Sequence, residues 1–392
     1  MKSQNGEWIG KAEEFIAYFE QTGKKRGSLD VLPKSQKEID FESEFELIDK
    51  KELDQDPDQL RLLESCLSVL ADPEQVVQMH YNLADTTVSR SILAMSQEMP
   101  GLWVTLATTG DTQRVSFRTE TELHHLISRV LSDDTTVRST QIGCDLSTEA
   151  ALAFLGILDQ YRRAWIISLV RHLEPVTLFS LSDVKERLEE AAVEDFRWAL
   201  PFTDKLLPIP VAEMSVCEDP RSSLLELIEK GLIEPVDEEA TAFELTEAGK
   251  VLAEGEKQAA SRMVLSKTCS TRNGELAHDV LLFTRSSFDL NLFLMSGAEA
   301  SMSSLLPGDL ELILDNIIFR SSSDAGPDVS PEVTSNDNHK AWYMIKDGEQ
   351  LGEFSWQQLK QSVKEGELKK EDLVWNSDLP QWVEANTIEN LF

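Results

Sequence analysis

Cysteine is scarce in this chain of 392 residues, and the four present, Cys66, Cys144, Cys217 and Cys269, lie far apart without a CxxC pair. That spacing suits neither a zinc knuckle nor a disulfide framework, so the thiols read as reduced and mostly buried. Basic residues are also few. Against 37 Lys and Arg stand 70 Asp and Glu, a formal net charge of −33. Such a surface repels nucleic acid phosphates and anionic lipid headgroups, and it suits a protein or peptide partner, a basic one in particular. Long apolar runs are missing as well. The most apolar segment, "ALAFLGILDQYRRAWIISLV", is broken by Asp159, Arg162 and Arg163, short of the roughly 20 residues that a membrane span needs. The first residues carry Glu13 and Glu14 where a signal peptide would have an unbroken apolar core. A cytoplasmic location is the expectation.

Chemical motifs are absent too. Of the Gly-Lys pairs, Gly10-Lys11, Gly23-Lys24 and Gly249-Lys250, none is followed by Ser or Thr, so no phosphate loop is present, and neither G-x-G-x-x-G nor G-x-S-x-G occurs. His124 and His125 are neighbours on one helix, about 100° apart, and cannot grip one ion side by side. No catalytic residue, cofactor or metal site is expected, and the chain reads as a non-enzyme.

What is there is an α+β pattern. Trp8, Ala12, Phe15 and Phe19 recur at helical spacing, and Gly23 ends that helix. Ten acids between Glu38 and Asp58 then mark an acidic linker, so residues 1–58 form an N-terminal helix and linker. Residues 59–175 read as an α+β unit: a helix, strands near Val76 to Tyr81, Ser91 to Met95 and Leu102 to Thr108, and a helix with the core stripe Leu123, Leu126, Ile127, Val130 and Leu131. A long central helix follows from Thr148 to about His172, with Phe154, Leu158, Tyr161, Trp165 and Leu169 as its core residues. A shift of 187 residues carries the stripe onto Leu310, Ile313, Leu314, Ile317 and Ile318, Gly110 onto Gly297, Leu93 onto Val280 and Val77 onto Val264. Residues 255–320 therefore read as a second strand-and-helix unit, an internal duplication of pattern.

Between the two units, residues 176–254 hold a helix through Leu224, Leu225 and Ile228 that stops at Gly231. Two strands, "LIEPV" and "AFELT", then flank the turn "DEEA", and Thr246 caps a further helix. This resembles the second half of a winged-helix domain, and the resemblance admits a transcriptional regulator as the rival function. Charge opposes DNA binding: the helix bears Glu226 and Glu229 against Lys230, and the wing tip is Asp237, Glu238 and Glu239. The acidic, duplicated body also looks like the chaperones that escort substrates of type VII secretion.

Residues 321–340, rich in Ser, Pro, Asp and Asn, have the composition of a disordered tether. In the last segment, "WYMIKDGEQLGEF" reads as a hairpin eased by Asp347-Gly348, and Ser355 with Gln358 makes a capping box for a helix ended by Gly366. With "LVW" at Leu373 to Trp375 and with Trp382, residues 341–392 resemble the GYF-like domain family, in its bacterial branch that lacks the namesake tripeptide. The resemblance implies an adaptor that recruits a protein or proline-rich peptide on aromatic rings. Carried over residue by residue, Trp342 and Phe354 are ring contacts, with Tyr343 and Trp375 beside them, while Trp382 is expected in the small core. The chain departs from peptide-binding members at Glu353, where they have proline, and at Ser362 and "GEL" from Gly366 to Leu368, where they have a helix tryptophan and the tripeptide. Those departures thin the aromatic pocket.

Overall fold

In this computed structural model the described residues are 2–4, 7–32, 57–83, 88–96, 99, 101–109, 111–131, 142–174, 177–193, 195–237, 241–271, 275–306, 308–320, 342–346, 349–354, 359–360, 362–363, 368–370, 372–375 and 382–388. The acidic linker, apart from its last residues, the tether 321–340 and the wing-tip residues Glu238 and Glu239 lie outside them.

One antiparallel sheet of eleven strands organises the chain up to residue 320. Its strands are β1 (Lys2–Gln4), β2 (Glu7–Lys11), β3 (Gln75–Leu83), β4 (Val88–Met95), β5 (Leu102–Thr109), β6 (Thr112–Thr119), β7 (Gly143–Ser147), β11 (Ser261–Ser270), β12 (Leu276–Arg285), β13 (Leu290–Ser296) and β14 (Glu299–Ser304). The order across the sheet is β1-β2-β6-β5-β4-β3-β11-β12-β13-β14-β7. The sheet thus takes strands from segments 1–58, 59–175 and 255–320, and these fold as one body.

The seam between β3 and β11 carries the duplication. A shift of 187 takes Gln78 to Leu265 and Met79 to Ser266, and the sheet pairs Gln78 with Ser266 and Met79 with Leu265. Exchanging the two copies therefore exchanges these two pairs, which is the register of a local two-fold axis. The outer strands obey the same symmetry. β2 pairs with β6 through Glu7 and Ser116, β7 pairs with β14 through Gly143 and Ser303, and helices begin directly after both strands, at Ala12 and Thr148.

Period-two alternation assigns the faces. On one face Val77, Met79, Leu93, Trp103, Leu265, Leu281 and Phe283 meet the two repeated helices, Glu120–Leu131 and Asp309–Ile313 with its π-helical continuation Leu314–Phe319. Three of the five equivalent stripe pairs are buried in both copies, Leu123 and Leu310, Ile127 and Leu314, and Leu131 and Ile318, whereas Val130 is buried and Ile317 only partly so. Two polar side chains at the seam close the second helix. Lys267 Nζ donates to the carbonyls of Ile317 (2.6 Å) and Arg320 (2.8 Å), and Gln75 Nε2 donates to that of Ile318 (2.5 Å). A cation there complements the negative end of the helix, and burial pushes the Lys267 ammonium down from its ordinary pKa.

On the opposite face the first half is covered by helices Ala12–Gln21 and Pro57–Ala71, and the second by the central helix Thr148–Arg171. Every residue from Ala150 to Asp159 is buried, because this helix is enclosed by the sheet below and residues 179–245 above. Its far end differs from the expected core stripe: Trp165 is half-buried and Leu169 is 55 % exposed, since the enclosing layers stop before them. Two more expectations are corrected. Trp8 lies in strand β2 rather than on the N-terminal helix, which starts only at Ala12; its pairing with Val115 of β6 outweighs the helical spacing. A fourth strand, β6, follows the three expected in the first unit. Its sequence TQRVSFRT is mostly polar and buries only Val115 and Ser116, so hydrophobicity gave no sign of it.

The segment between the halves builds a three-stranded sheet, β8 (Phe179–Ser180), β10 (Ala242–Leu245) and β9 (Ile233–Pro235), in the order β8-β10-β9. Helix Arg221–Glu229 precedes β9, and helix Glu247–Lys257 follows β10 with Thr246 as N-cap, its hydroxyl accepting from the Gly249 amide at 3.2 Å. Gly231 ends its helix at φ +69°, and a Cβ on Gly249 would lie 2.2 Å from the Leu232 carbonyl oxygen. Both positions therefore require glycine.

Candidate functional site: the aromatic face of the C-terminal module

Four short strands make the last module: β15 (Trp342–Lys346), β16 (Glu349–Phe354), β17 (Leu373–Trp375) and β18 (Val383–Glu384), in the order β16-β15-β17-β18. Alternation along β15 sends Trp342 and Met344 to one face and Tyr343 to the other. The first face is the core. Trp342 (5 % exposed), Met344, Leu359, Leu368, Val374 and Ala385 are buried there, with Phe354, Val363, Val383 and Ile388 packed against them.

The second face is aromatic. Tyr343 and Trp375 are paired across β15 and β17, with ring centroids 5.7 Å apart, and the Trp382 ring lies 6.2 Å from that of Trp375. All three are half-buried, so each keeps part of its ring open while its neighbours fix its position. Ring spacings in this range are those of aromatic pairs that attract beyond their buried area.

The four residues expected at a partner surface thus divide. Tyr343 and Trp375 sit together on the outer face, whereas Trp342 lies in the core and Phe354, half-buried, packs against that core from the paired strand. Trp382, expected in the core, joins the outer row instead. Strand parity was the available signal: adjacent residues of one strand cannot share a face, and the Tyr343–Trp375 register then fixes the rest. Among the departures from peptide-binding members, Ser362 is buried and its carbonyl accepts from the Leu368 amide at 3.0 Å. Glu353 is part of β16, and the Asp347-Gly348 turn, the capping box and Gly366 lie outside the described residues.

The other site raised by the sequence, helix Arg221–Glu229, turns inward. Leu224 and Leu227 are buried against the central helix, and the Glu226 carboxylate accepts from both the Ser147 amide and the Ser147 hydroxyl, each at 2.6 Å. Asp237, at the base of the turn, accepts from the Thr241 amide (2.7 Å) and hydroxyl (2.6 Å). Among the described residues no group of His, Cys, Asp and Glu could hold a metal ion, and no helix is long and apolar enough to cross a membrane.

Comparison with known proteins bears on the module directly. Residues 342–391 match the family described as GYF domain 2, so the C-terminal segment is a GYF-like domain on an α+β chain. No curated protein matches the chain. Among solved structures it is similar to the Mycobacterium tuberculosis type VII secretion system chaperone EspG5 in complex with a PE25-PPE41 dimer, at 11 % identity and a TM-score of 0.42, over 78 % of this chain and 93 % of that one. That likeness is too distant to bear on function.

Proposed function

We propose that this chain is a non-enzymatic cytoplasmic adaptor whose GYF-like domain recruits a protein partner on the outer face of its small sheet. The carrying observation is the row of Tyr343, Trp375 and Trp382, held in place from one side and open on the other. Such a row suits an extended proline-rich segment, whose rings stack on aromatic faces without losing much chain entropy. The binding residues of this reading are Tyr343, Trp375 and Trp382, with Trp342 and Phe354 as their support. Residues 179–245 act as a winged-helix-like scaffold for protein contact: Glu226 is tied to the central helix and the turn is acidic, which disfavours the DNA-binding regulator. A secretion-type escort role for the acidic body is the second reading, favoured by its two-fold construction.

Capture on a proline-rich peptide array tests the first reading. Trp375→Ala should abolish capture by the full chain while thermal melting is retained. Retained capture with an intact fold would refute the assignment, and so would indifference of the wild-type chain to proline content.

A further inference from the structure

A pocket of about 430 Å³ opens where the end of β3, the turn into β11 and the central helix meet. Its walls carry Arg162, Arg163, Arg197 and Arg262, with Trp198, Ile166 and Ile167, and none of the described residues lining it is acidic. In a chain of net charge −33 this is a local reversal of sign.

Three of these arginines already have a carboxylate. Arg163 donates to Glu190 (2.7 Å), Arg197 to Asp195 (2.7 Å) and Arg262 to Glu256 (2.5 Å). Among the described residues Arg162 has none within ion-pair distance. One of its nitrogens donates to the Arg197 carbonyl at 2.6 Å, and its guanidinium stands 5.6 Å from the Trp198 ring centre, with that of Arg163 at 4.4 Å. Glu256 and Asp159 favour its charged form through space, but their oxygens are bonded elsewhere: Glu256 accepts from Arg262 and Thr284, and Asp159 from the Ala199 (2.8 Å) and Leu200 (2.9 Å) amides. Burial and the charge of Arg262 push the Arg162 pKa down and outweigh Glu256 and Asp159, which push it up, so an anion beside it would relieve a net cost.

A second observation sets the rest of the ligand. Arg163, Ile166, Ile167 and Val170 fall at i, i+3, i+4 and i+7 and so share one helix face. Ile167 is 50 % exposed and Val170 76 % exposed, and Leu173 beyond them is 64 % exposed. An apolar strip therefore leads out of the arginine pocket. We infer that this pocket and strip dock an apolar segment of a partner protein bearing a single carboxylate, which pairs with Arg162 while its apolar side chains cover Ile167 and Val170. More acids would meet the chain's own negative surface, whose field reaches about 8 Å at physiological salt. The volume suits one or two side chains.

The test uses the full chain and two fluorescein-labelled leucine-rich peptides that differ only by one Glu or one Gln. Anisotropy should show the Glu peptide binding at least about tenfold more tightly, as a charged hydrogen-bonded pair would give. Arg162→Met should erase that preference, and Arg162→Lys, which keeps the charge and guards against a folding defect, should retain part of it. Ile167→Ser should weaken both peptides alike with unchanged melting. Equal affinity for the two peptides, or a preference that survives Arg162→Met, would overturn the inference. It would also fail if acetate alone displaced the Glu peptide, making a small carboxylate the ligand. A self-associated chain that Ile167→Ser disperses, without peptide binding, would assign the strip to a second copy instead.

Discussion

The ion pair of Arg262 and Glu256 ties the last turn of helix Glu247–Lys257 to the first residues of β11, at the seam of the two halves. Both side chains are only 3 % exposed. Glu256 accepts from Arg262 Nε at 3.1 Å and Nη2 at 2.5 Å, and also from the Thr284 hydroxyl, while Arg262 Nη1 donates to the Arg197 carbonyl at 3.1 Å. Removing either partner strands a buried charge. Glu256→Met and Arg262→Met should therefore each lower stability by about 3 to 5 kcal/mol. Together the two substitutions leave no charge behind. What remains is the Thr284 hydroxyl without its partner, about 1 to 3 kcal/mol, partly offset by the two apolar side chains now buried; the Arg197 carbonyl still accepts from Arg162. The double variant should cost about 1 to 3 kcal/mol, well under the combined single losses of about 6 to 10, giving a coupling of at least about 3 kcal/mol. Urea denaturation followed by far-ultraviolet circular dichroism measures all four corners of this cycle. Additive losses, or a single-variant loss below about 1 kcal/mol, would refute the reasoning, because the pair would then be hydrated and not buried.

Burial raises the Asp159 carboxyl to about 6, against backbone amides and Arg262 that favour its ionised form. A raised folded pKa means that the folded state holds the proton longer. The stability this group contributes is therefore full below about pH 4 and lost as pH climbs through about 6, on the order of 3 kcal/mol for a shift of this size. Asp159→Asn, which cannot titrate, should reduce the difference between urea midpoints at pH 4 and pH 7; an unchanged difference would show that other groups set it. Lys267→Met removes two hydrogen bonds to helix-terminal carbonyls and should cost about 1 to 3 kcal/mol, read as a lower urea midpoint at constant slope. In the C-terminal module, Trp342→Ala should cost about 3 to 5 kcal/mol and unfold a domain of so few core residues, while Trp375→Ala should leave it folded. Near-ultraviolet circular dichroism separates the two, and loss of the fold in both would place Trp375 in the core.

Much of this architecture is legible in the chain. The stripes at Leu123 and Leu310 specify amphipathic helices through spacing alone, and their repetition at 187 residues predicts two like units before any contact is known. Thr246, Gly231 and Gly249 define the ends of their helices because a cap needs a hydroxyl, a left-handed turn needs glycine and a close backbone approach excludes a side chain. In the GYF-like segment the order of aromatics and glycines sufficed for its identification. Spacing also led astray where two periods fit: Trp8 stands four residues before Ala12, as a helix would have it, yet it pairs in a strand.

Only the tertiary structure decided which surfaces meet. The β3–β11 seam joins strands from opposite ends of the chain, and a strand's own sequence does not name its neighbour. The outer row of Tyr343, Trp375 and Trp382 follows from one cross-strand register that no local pattern encodes. The arginine pocket draws on residues near 82, 162, 197 and 262, each unremarkable among its sequence neighbours. Periodicity records how a segment faces a core because that is a property of consecutive residues. Charge reversal in a pocket arises from long-range packing, which sets distant side chains together and withholds a counter-ion from one of them.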